Sequence, residues 1–217
     1  MNKKTQLVLA SLATTLLVAG CASGPSFVEL NALTDKIIKA SFRDERLVTV
    51  DRLIQDDANR ECSAADVAGK PIEEALRASI ESANMKAIKW PSDGKFIGDW
   101  REGEKIAQSG RGLTWTDDAS QANGGNCYNC HKIDQKEISY GTLGPSLHNY
   151  GKLRGITDPN SATAKPIVEY TWGKIWNAKA YNACSNMPRA GHAGILNEAQ
   201  VRHVVGLLLD PKSPVNQ

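Results

Sequence analysis

The clearest hydrophobic pattern lies near the end of the chain, where apolar residues recur at the spacing of one helical face. A capping sequence at residues 197–200 precedes this segment and Asp210-Pro211 follows it, which predicts a helix with a defined start and end. An amphipathic stripe upstream contains two tryptophans and predicts another helix. The two stripes consist of Val168, Thr171, Trp172, Ile175 and Trp176, and of Val201, Val204, Val205, Leu208 and Leu209.

Three further segments have helical patterns. Asp99 is placed to cap a helix within residues 98–106, where Gly103 would let another helix approach closely. Two helices are predicted before residue 95, one following Pro71 and one ending before Asp56. Their apolar positions are Ile72, Leu76, Ile80 and Ala83, and Val50, Leu53 and Ile54. The whole pattern predicts an all-α fold.

Composition narrows the class of protein. The chain has 217 residues, of which 41% are hydrophobic and 23% charged, so extensive disorder, a collagen-like structure and a polytopic membrane protein are excluded. The formal net charge is +2, and no basic cluster is dense enough to indicate nucleic-acid binding.

The N-terminus has the features of an export signal. Lys3 and Lys4 precede an apolar run that ends in Val18-Ala19-Gly20-Cys21. This ending resembles a bacterial lipobox, so residues 1–20 are expected to be a lipoprotein signal peptide and Cys21 the lipidated N-terminus. The alternative is ordinary secretion with cleavage after Ala22. Lipidation would attach the protein to a membrane in the periplasm, with the inner leaflet of the outer membrane favoured.

One pentapeptide indicates the chemistry. Cys127-Tyr128-Asn129-Cys130-His131 is a C-x-x-C-H sequence, the attachment signature of haem c. Two thiols at this spacing reach the two vinyl groups of one porphyrin, and the following His131 becomes the proximal ligand of the iron. A thioredoxin-like site does not need the histidine, and a zinc site would need a second pair of ligands.

The distal ligand must come from elsewhere in the chain, and the candidates are Met187, Met85, His148, His192 and His203. Met187 is preferred because it lies downstream in an irregular segment, followed by a proline that keeps the chain extended. His192 is the second choice. A methionine–histidine pair favours a relatively high potential and leaves no open coordination position, so we expect electron transfer and no catalytic residue on this chain.

Two cysteines remain, Cys62 and Cys184. In an oxidising compartment an even number of remaining cysteines suggests a disulfide, although two free thiols are the alternative. A bond between them would tie the N-terminal extension to the segment that contains Met187.

The region around the haem motif resembles a class I cytochrome c domain, which we assign to residues 96–217, with residues 21–95 as a helical N-terminal extension. Residues 143–147 resemble the segment on the proximal side of the haem in that family. The resemblance implies that the carbonyl of Pro145 accepts a hydrogen bond from His131 and fixes its tautomer.

Longer segments resemble the SoxX family, the mono-haem subunit of the sulfur-oxidation cytochrome SoxAX. These are residues 98–113, 123–127, 139–147, 150–155 and 182–196. The resemblance implies a SoxA partner that carries out the oxidative joining of thiosulfate to a cysteine of the SoxY carrier. The two electrons released by this reaction would pass one at a time through this subunit to a soluble cytochrome c. Family members are commonly free periplasmic proteins, so the lipobox is a departure.

Two other functions compete with this one. A free-standing, lipid-anchored cytochrome c would pass electrons to a terminal oxidase without any sulfur substrate. A peroxidase or sensor would need an open iron, and therefore the loss of the distal ligand.

Overall fold

In a computed structural model, residues 24–217 are described. Within them the secondary structure is helical, apart from one isolated bridge between Glu45 and Val48, so the all-α prediction is confirmed. The α-helices are α1 (Phe27–Ser41), α2 (Asp57–Val67), α3 (Glu74–Lys86), α4 (Trp100–Gln108), α5 (Lys165–Trp176) and α6 (Glu198–Leu209).

The chain divides into two compact units, Met1–Asp44 and Glu45–Gln217. The described part of the first unit is chiefly α1, which begins with a capping box formed by Ser26 and Glu29. Its apolar side chains Val28, Leu33 and Ile37 are exposed. No helix within residues 24–217 is both long enough and apolar enough to cross a membrane.

In the second unit, α4 and α6 cross at unusually close range because glycine occupies both sides of the contact. A Cβ at Gly103 would lie 2.1 Å from the carbonyl oxygen of His203, and one at Gly206 would lie 2.3 Å from that of Gly98. The backbone N–H of Gly98 also donates to the carbonyl of Arg202 at 2.9 Å. The predicted role of Gly103 in helix packing is therefore confirmed.

Both predicted helix caps at this crossing are present. The carboxylate of Asp99 accepts a hydrogen bond from the N–H of Arg101 at 2.9 Å, and Asn197 and Gln200 form a capping box at the start of α6. All five apolar positions predicted for α6 are buried, and so are the five predicted for α5. The two amphipathic helices therefore supply half of the buried residues of the main hydrophobic core.

The tryptophans of α5 connect this core to the segment before residue 95. Trp172 is fully buried, stacks on Trp176 at a centroid distance of 5.7 Å, and donates its indole N–H to the carbonyl of Lys89 at 3.0 Å. Phe96 packs edge-on against Trp172. Residues on both sides of position 95 therefore contribute to one core.

The extension contributes α2 and α3 to this same compact unit. The helix predicted after Pro71 is α3, which packs near a short 3₁₀ helix, Ala178–Ala180. The helix predicted at Val50 is only a 3₁₀ turn, Val50–Leu53, because Ile54 is already extended before Asp56 caps α2. That residues 21–95 and 96–217 are separate domains stays a prediction.

Candidate functional site

The C-x-x-C-H segment forms a tight turn. A 3₁₀ helix, Cys127–Asn129, begins after Asn126, which has a left-handed backbone with φ of 51°. The carbonyl of Cys127 accepts hydrogen bonds from the N–H groups of Cys130 and His131, at 3.1 and 2.9 Å. Cys127 and Cys130 are half-buried free thiols with no disulfide partner among the described residues. The turn thus keeps two free thiols and an imidazole on one short segment.

Residues 139–147 form a loop that runs beside this turn and is hydrogen-bonded to it. The N–H groups of Gly141, Gly144 and Leu147 donate to the carbonyls of Tyr128, Cys130 and Lys132, each at 2.7–2.8 Å. These regularly spaced bonds hold the loop in register with the C-x-x-C-H turn.

The same loop orients the imidazole. His131 Nδ1 lies 2.7 Å from the carbonyl oxygen of Pro145, which can only accept a hydrogen bond. Nδ1 must therefore carry the proton, and the lone pair of Nε2 is left for a metal ion. The predicted contact between Pro145 and His131 is confirmed.

Glycine is required where the loop meets the imidazole. A Cβ at Gly144 would lie 2.2 Å from Cε1 of His131, closer than non-bonded atoms approach. A Cβ at Gly141 would lie 1.8 Å from the carbonyl oxygen of Asn129. The close approach of the loop to the turn therefore depends on two missing side chains.

Tyr128 anchors the turn to α4. Its hydroxyl donates to Oε1 of Glu104 at 2.8 Å and accepts from the N–H of Asp134 at 3.2 Å. Burial raises the pKa of Glu104, and burial and the neighbouring Glu104 together raise the pKa of Tyr128. Sequence analysis gave this tyrosine no function, and a tyrosine between two cysteines carries no local signal of a partner 24 residues away.

The segment that contains Met187 is an irregular loop, residues 182–189. Its internal bonds are few: Asn182 accepts from the N–H groups of Ser185 (at its carbonyl, 3.0 Å) and Cys184 (at Oδ1, 3.1 Å), and the N–H of Met187 donates to Ser185 Oγ at 3.2 Å. Met187 is half-buried and packs against the main core, as Cys127 does. Cys184 in this loop forms a disulfide with Cys62 in α2.

The other candidate ligands have different surroundings. His203 accepts a hydrogen bond from the N–H of Asp99 at 3.0 Å and belongs to the helix crossing. Met85 is an exposed residue near the end of α3, and His192 is exposed as well. The Nε2 atom of His148 lies 3.1 Å from the side-chain amide of Asn149. Of the two methionines among the candidates, Met187 packs on the main core and Met85 does not.

Trp176 has a buried polar group without a partner. Its indole N–H finds no hydrogen-bond acceptor among the described residues, although the side chain is only 6% exposed. Gly191 lies against the ring, where a Cβ would come within 2.4 Å of Cδ2. A buried donor without an acceptor is costly, so this site favours a bound group that brings an acceptor of its own.

The predicted lipid-attachment residue Cys21 and the predicted signal peptide of residues 1–20 lie outside the described residues. Their roles therefore rest on the sequence.

Comparison with known proteins gives two findings. A family model described as cytochrome c matches residues 101–210. A protein of Aquifex aeolicus (strain VF5), named "Uncharacterized lipoprotein", is 39% identical over 137 residues, which is 61% of this chain. The matched region spans 60% of that relative's length.

Proposed function

Because the chain belongs to the cytochrome c family, we propose that it is the electron-accepting subunit of a SoxAX-type, thiosulfate-oxidising complex. Its all-α structure is the class I cytochrome c fold, and it is an electron-transfer protein with covalently bound haem c. Beyond these family properties, the proposal specifies the ligands of the haem, the partner proteins and the sulfur chemistry.

The ligand set follows from the chemistry of the donor groups. We assign the two thioether bonds to Cys127 and Cys130, the proximal ligand to Nε2 of His131, and the distal ligand to the sulfur of Met187. Haem c supplies a one-electron couple between ferrous and ferric iron. The single observation that carries this assignment is the 2.7 Å contact between His131 Nδ1 and Pro145, because it leaves Nε2 unprotonated for the metal.

The surroundings fit this group in three respects. The two thiols are free and three positions apart, as two thioether bonds to one porphyrin require. Gly144 leaves the space that the imidazole ring occupies. The unpartnered indole N–H of Trp176 suits an acceptor such as a carboxylate of the bound group.

With His131 and Met187 as ligands, the iron would have no open position for substrate, so the chain would transfer electrons without carrying out bond chemistry. Joining thiosulfate to a cysteine thiol releases two electrons. The chain would accept them singly and pass each to a soluble cytochrome c before accepting the next. The sulfur chemistry itself belongs to the SoxA partner, and the cysteine that receives the sulfur belongs to the SoxY carrier.

Replacement of Met187 tests the ligand set. We expect Met187→Ala to abolish the methionine–iron charge-transfer band of the oxidised protein and to let carbon monoxide bind the reduced protein. The potential should fall by on the order of 0.1 V or more, since axial ligands tune haem potentials over about 0.8 V. Met85→Ala is the matched control and should change neither spectrum nor potential. An unchanged band in Met187→Ala would refute the assignment.

Partner binding tests the role as a subunit. The support for it is the resemblance to SoxX, which runs from about Asp51 to Asn216 and is most specific in the five segments named above. The purified holoprotein and a SoxA chain from the same organism should co-elute in gel filtration and should reduce a soluble cytochrome c when thiosulfate and SoxY are added. Separate elution at micromolar concentrations would count against the complex.

A second candidate is a free-standing, lipid-anchored cytochrome c that reduces a terminal oxidase. The lipobox at Cys21 and the similarity to a relative named as a lipoprotein favour it. Both functions are compatible with lipid attachment in the periplasm, which metabolic labelling with a palmitate analogue would detect in the wild type and not in Cys21→Ser. Rapid reduction of the oxidase without SoxA or thiosulfate would support this candidate.

A further inference from the structure

The loop that contains Met187 is covalently fastened to the extension. The Cys62–Cys184 disulfide joins α2 to residues 182–189, across a sequence separation of 122 residues. Cys184 lies three positions before Met187. A displacement of the loop away from the core is therefore limited by the position of α2.

An ion pair fastens the other end of the loop. Arg189, two positions after Met187, donates from Nη2 to Oδ2 of Asp56. The other carboxylate oxygen of Asp56 accepts from the N–H of Asn59 at 2.8 Å, so the residue also caps α2. Burial opposes ionisation, yet the Asn59 N–H and Arg189 together lower the pKa of Asp56. The carboxylate is thus a charged link between α2 and the loop.

The third attachment comes from α3. Oε1 of Glu81 accepts a hydrogen bond from the backbone N–H of Ala183 at 3.2 Å, and Arg77 holds the Glu81 carboxylate at 3.2 Å. The carbonyl of Ala183 accepts from Nζ of the buried Lys179 at 3.0 Å. Both backbone polar groups of Ala183 are therefore bound to side chains outside the loop.

A small hydrophobic cluster, separate from the main core, lies at the same place. It consists of Ala58 of α2, Ile80 of α3 and Ala183 of the loop, with Ile72 packed against it. Ala183 is only 1% exposed. The two helices of the extension and the loop therefore bury one another's apolar surface.

We propose that α2 and α3 are a clamp that positions the Met187 loop, with Asp56, Cys62 and Glu81 as positioning residues. The proposal rests on Met187 being the distal ligand, as assigned above. The loop has no regular helix of its own and few internal bonds, so the clamp supplies the order that a thioether ligand needs to remain on the iron. The extension thereby controls the strength of the distal bond and the potential of the protein.

The experiment compares two isoelectronic changes at neighbouring positions of the holoprotein. Asp56→Asn removes the charge that binds Arg189 but keeps a side chain that caps a helix well. Asp57→Asn is the matched control, because Asp57 is an exposed residue whose partner is Arg60 within α2. The readouts are the methionine–iron charge-transfer band, the potential, and the rate at which carbon monoxide binds the reduced protein.

We expect carbon monoxide to bind Asp56→Asn about tenfold faster than wild type. This change corresponds to a loss of about 1.4 kcal/mol in the free energy that keeps the loop closed over the iron. The potential should fall, and Asp57→Asn should match wild type. The double variant Cys62→Ser/Cys184→Ser should show a larger increase in the rate. If that variant does not fold, reduction and alkylation of the wild-type disulfide provides the same comparison. Glu81→Gln is a further variant, which tests the attachment from α3.

The outcomes separate this proposal from the ligand assignment. If Met187→Ala leaves the band and carbon monoxide binding unchanged, the ligand assignment fails and the clamp proposal fails with it. If Met187→Ala acts as expected but the clamp variants keep the wild-type band, potential and binding rate, the clamp alone is refuted. Lower thermal stability without a change in those three readouts also refutes it, because that result indicates a purely structural role.

Discussion

The two sides of the candidate haem site are held by different kinds of contact. On the proximal side, the C-x-x-C-H turn is bonded to residues 139–147 by backbone groups that are 13 to 15 residues apart in sequence. On the proposed distal side, the loop of residues 182–189 is held to the extension by side chains and a disulfide whose partners are 102 to 133 residues away, and Lys179 adds one local bond. The contacts on the proximal side therefore join residues that are near in sequence, and most of those on the distal side join residues that are far apart.

This difference has a physical consequence. Backbone bonds over short separations survive many substitutions, because they need only the main chain and a few glycines. Side-chain contacts over long separations each depend on one particular residue and on the packing of the extension. We therefore expect substitutions to separate attachment of the haem, which depends on the proximal side, from strength of the distal bond.

The largest effect is expected for Gly144→Ala. The added methyl group would collide with the imidazole of His131, which the Pro145 carbonyl holds in place, so the cost should reach about 3 kcal/mol, the upper end of the usual range for overpacking. We expect a lower yield of protein with attached haem, measured by haem staining after denaturing electrophoresis. Thr142→Ala, an exposed change in the same loop, should leave the yield at the wild-type level. Equal yields for the two variants would contradict the claim that haem attachment depends on the close approach of this loop to the C-x-x-C-H turn.

A smaller effect is expected for Ile80→Ala, which empties part of the cluster between α2, α3 and the loop. Truncation of a buried isoleucine at the edge of the structure should cost about 2 kcal/mol, measured by chemical denaturation. Haem attachment should be unaffected while the distal bond is weakened. Ile54→Ala, at a side chain that is 73% exposed, is the control. Loss of haem attachment in Ile80→Ala would remove the distinction between the two sides.

The smallest effect is expected for Glu104→Gln, which tests the link between Tyr128 and α4. Burial raises the pKa of Glu104, so the folded protein binds this proton more tightly than the unfolded chain does. Stability must then fall as the pH rises from the unfolded pKa of about 4.3 through the folded value. Glu104→Gln should flatten this part of the stability–pH curve, measured by denaturation at several pH values. A curve as steep as that of wild type would show that Glu104 does not cause the slope.

The features that sequence analysis predicted correctly depend on short segments. The caps at Asp99 and Asn197 and the stripe of α6 follow from residues within one or two turns of helix. The contact between Pro145 and His131 was predicted from resemblance to the family, because the C-x-x-C-H motif and residues 143–147 each match a segment of it. At Val50 the same local reasoning failed, since three apolar residues in five were too few to continue a helix into the extended Ile54.

The distal side could be predicted only in part. Cysteine counting left Cys62 and Cys184 as the available pair, because the other three cysteines belong to the lipobox and to the C-x-x-C-H motif. Nothing in the sequence pairs Asp56 with Arg189, or Glu81 with the peptide of Ala183, because single charged residues are common on helix surfaces. Such contacts emerge only when α2 and α3 are packed against the loop.

The Cys62–Cys184 bond also gives the chain a covalent topology. It closes residues 62–184 into a ring, and the attachment motif from Cys127 to Cys130 lies inside that ring. One proteolytic cut in the ring, for instance in the exposed stretch at residues 118–121, would linearise it without releasing a fragment. Under non-reducing conditions the haem-bearing piece would still migrate with the N-terminal piece. If Cys21 carries the proposed lipid, a nicked molecule would therefore keep its haem-bearing fragment at the membrane.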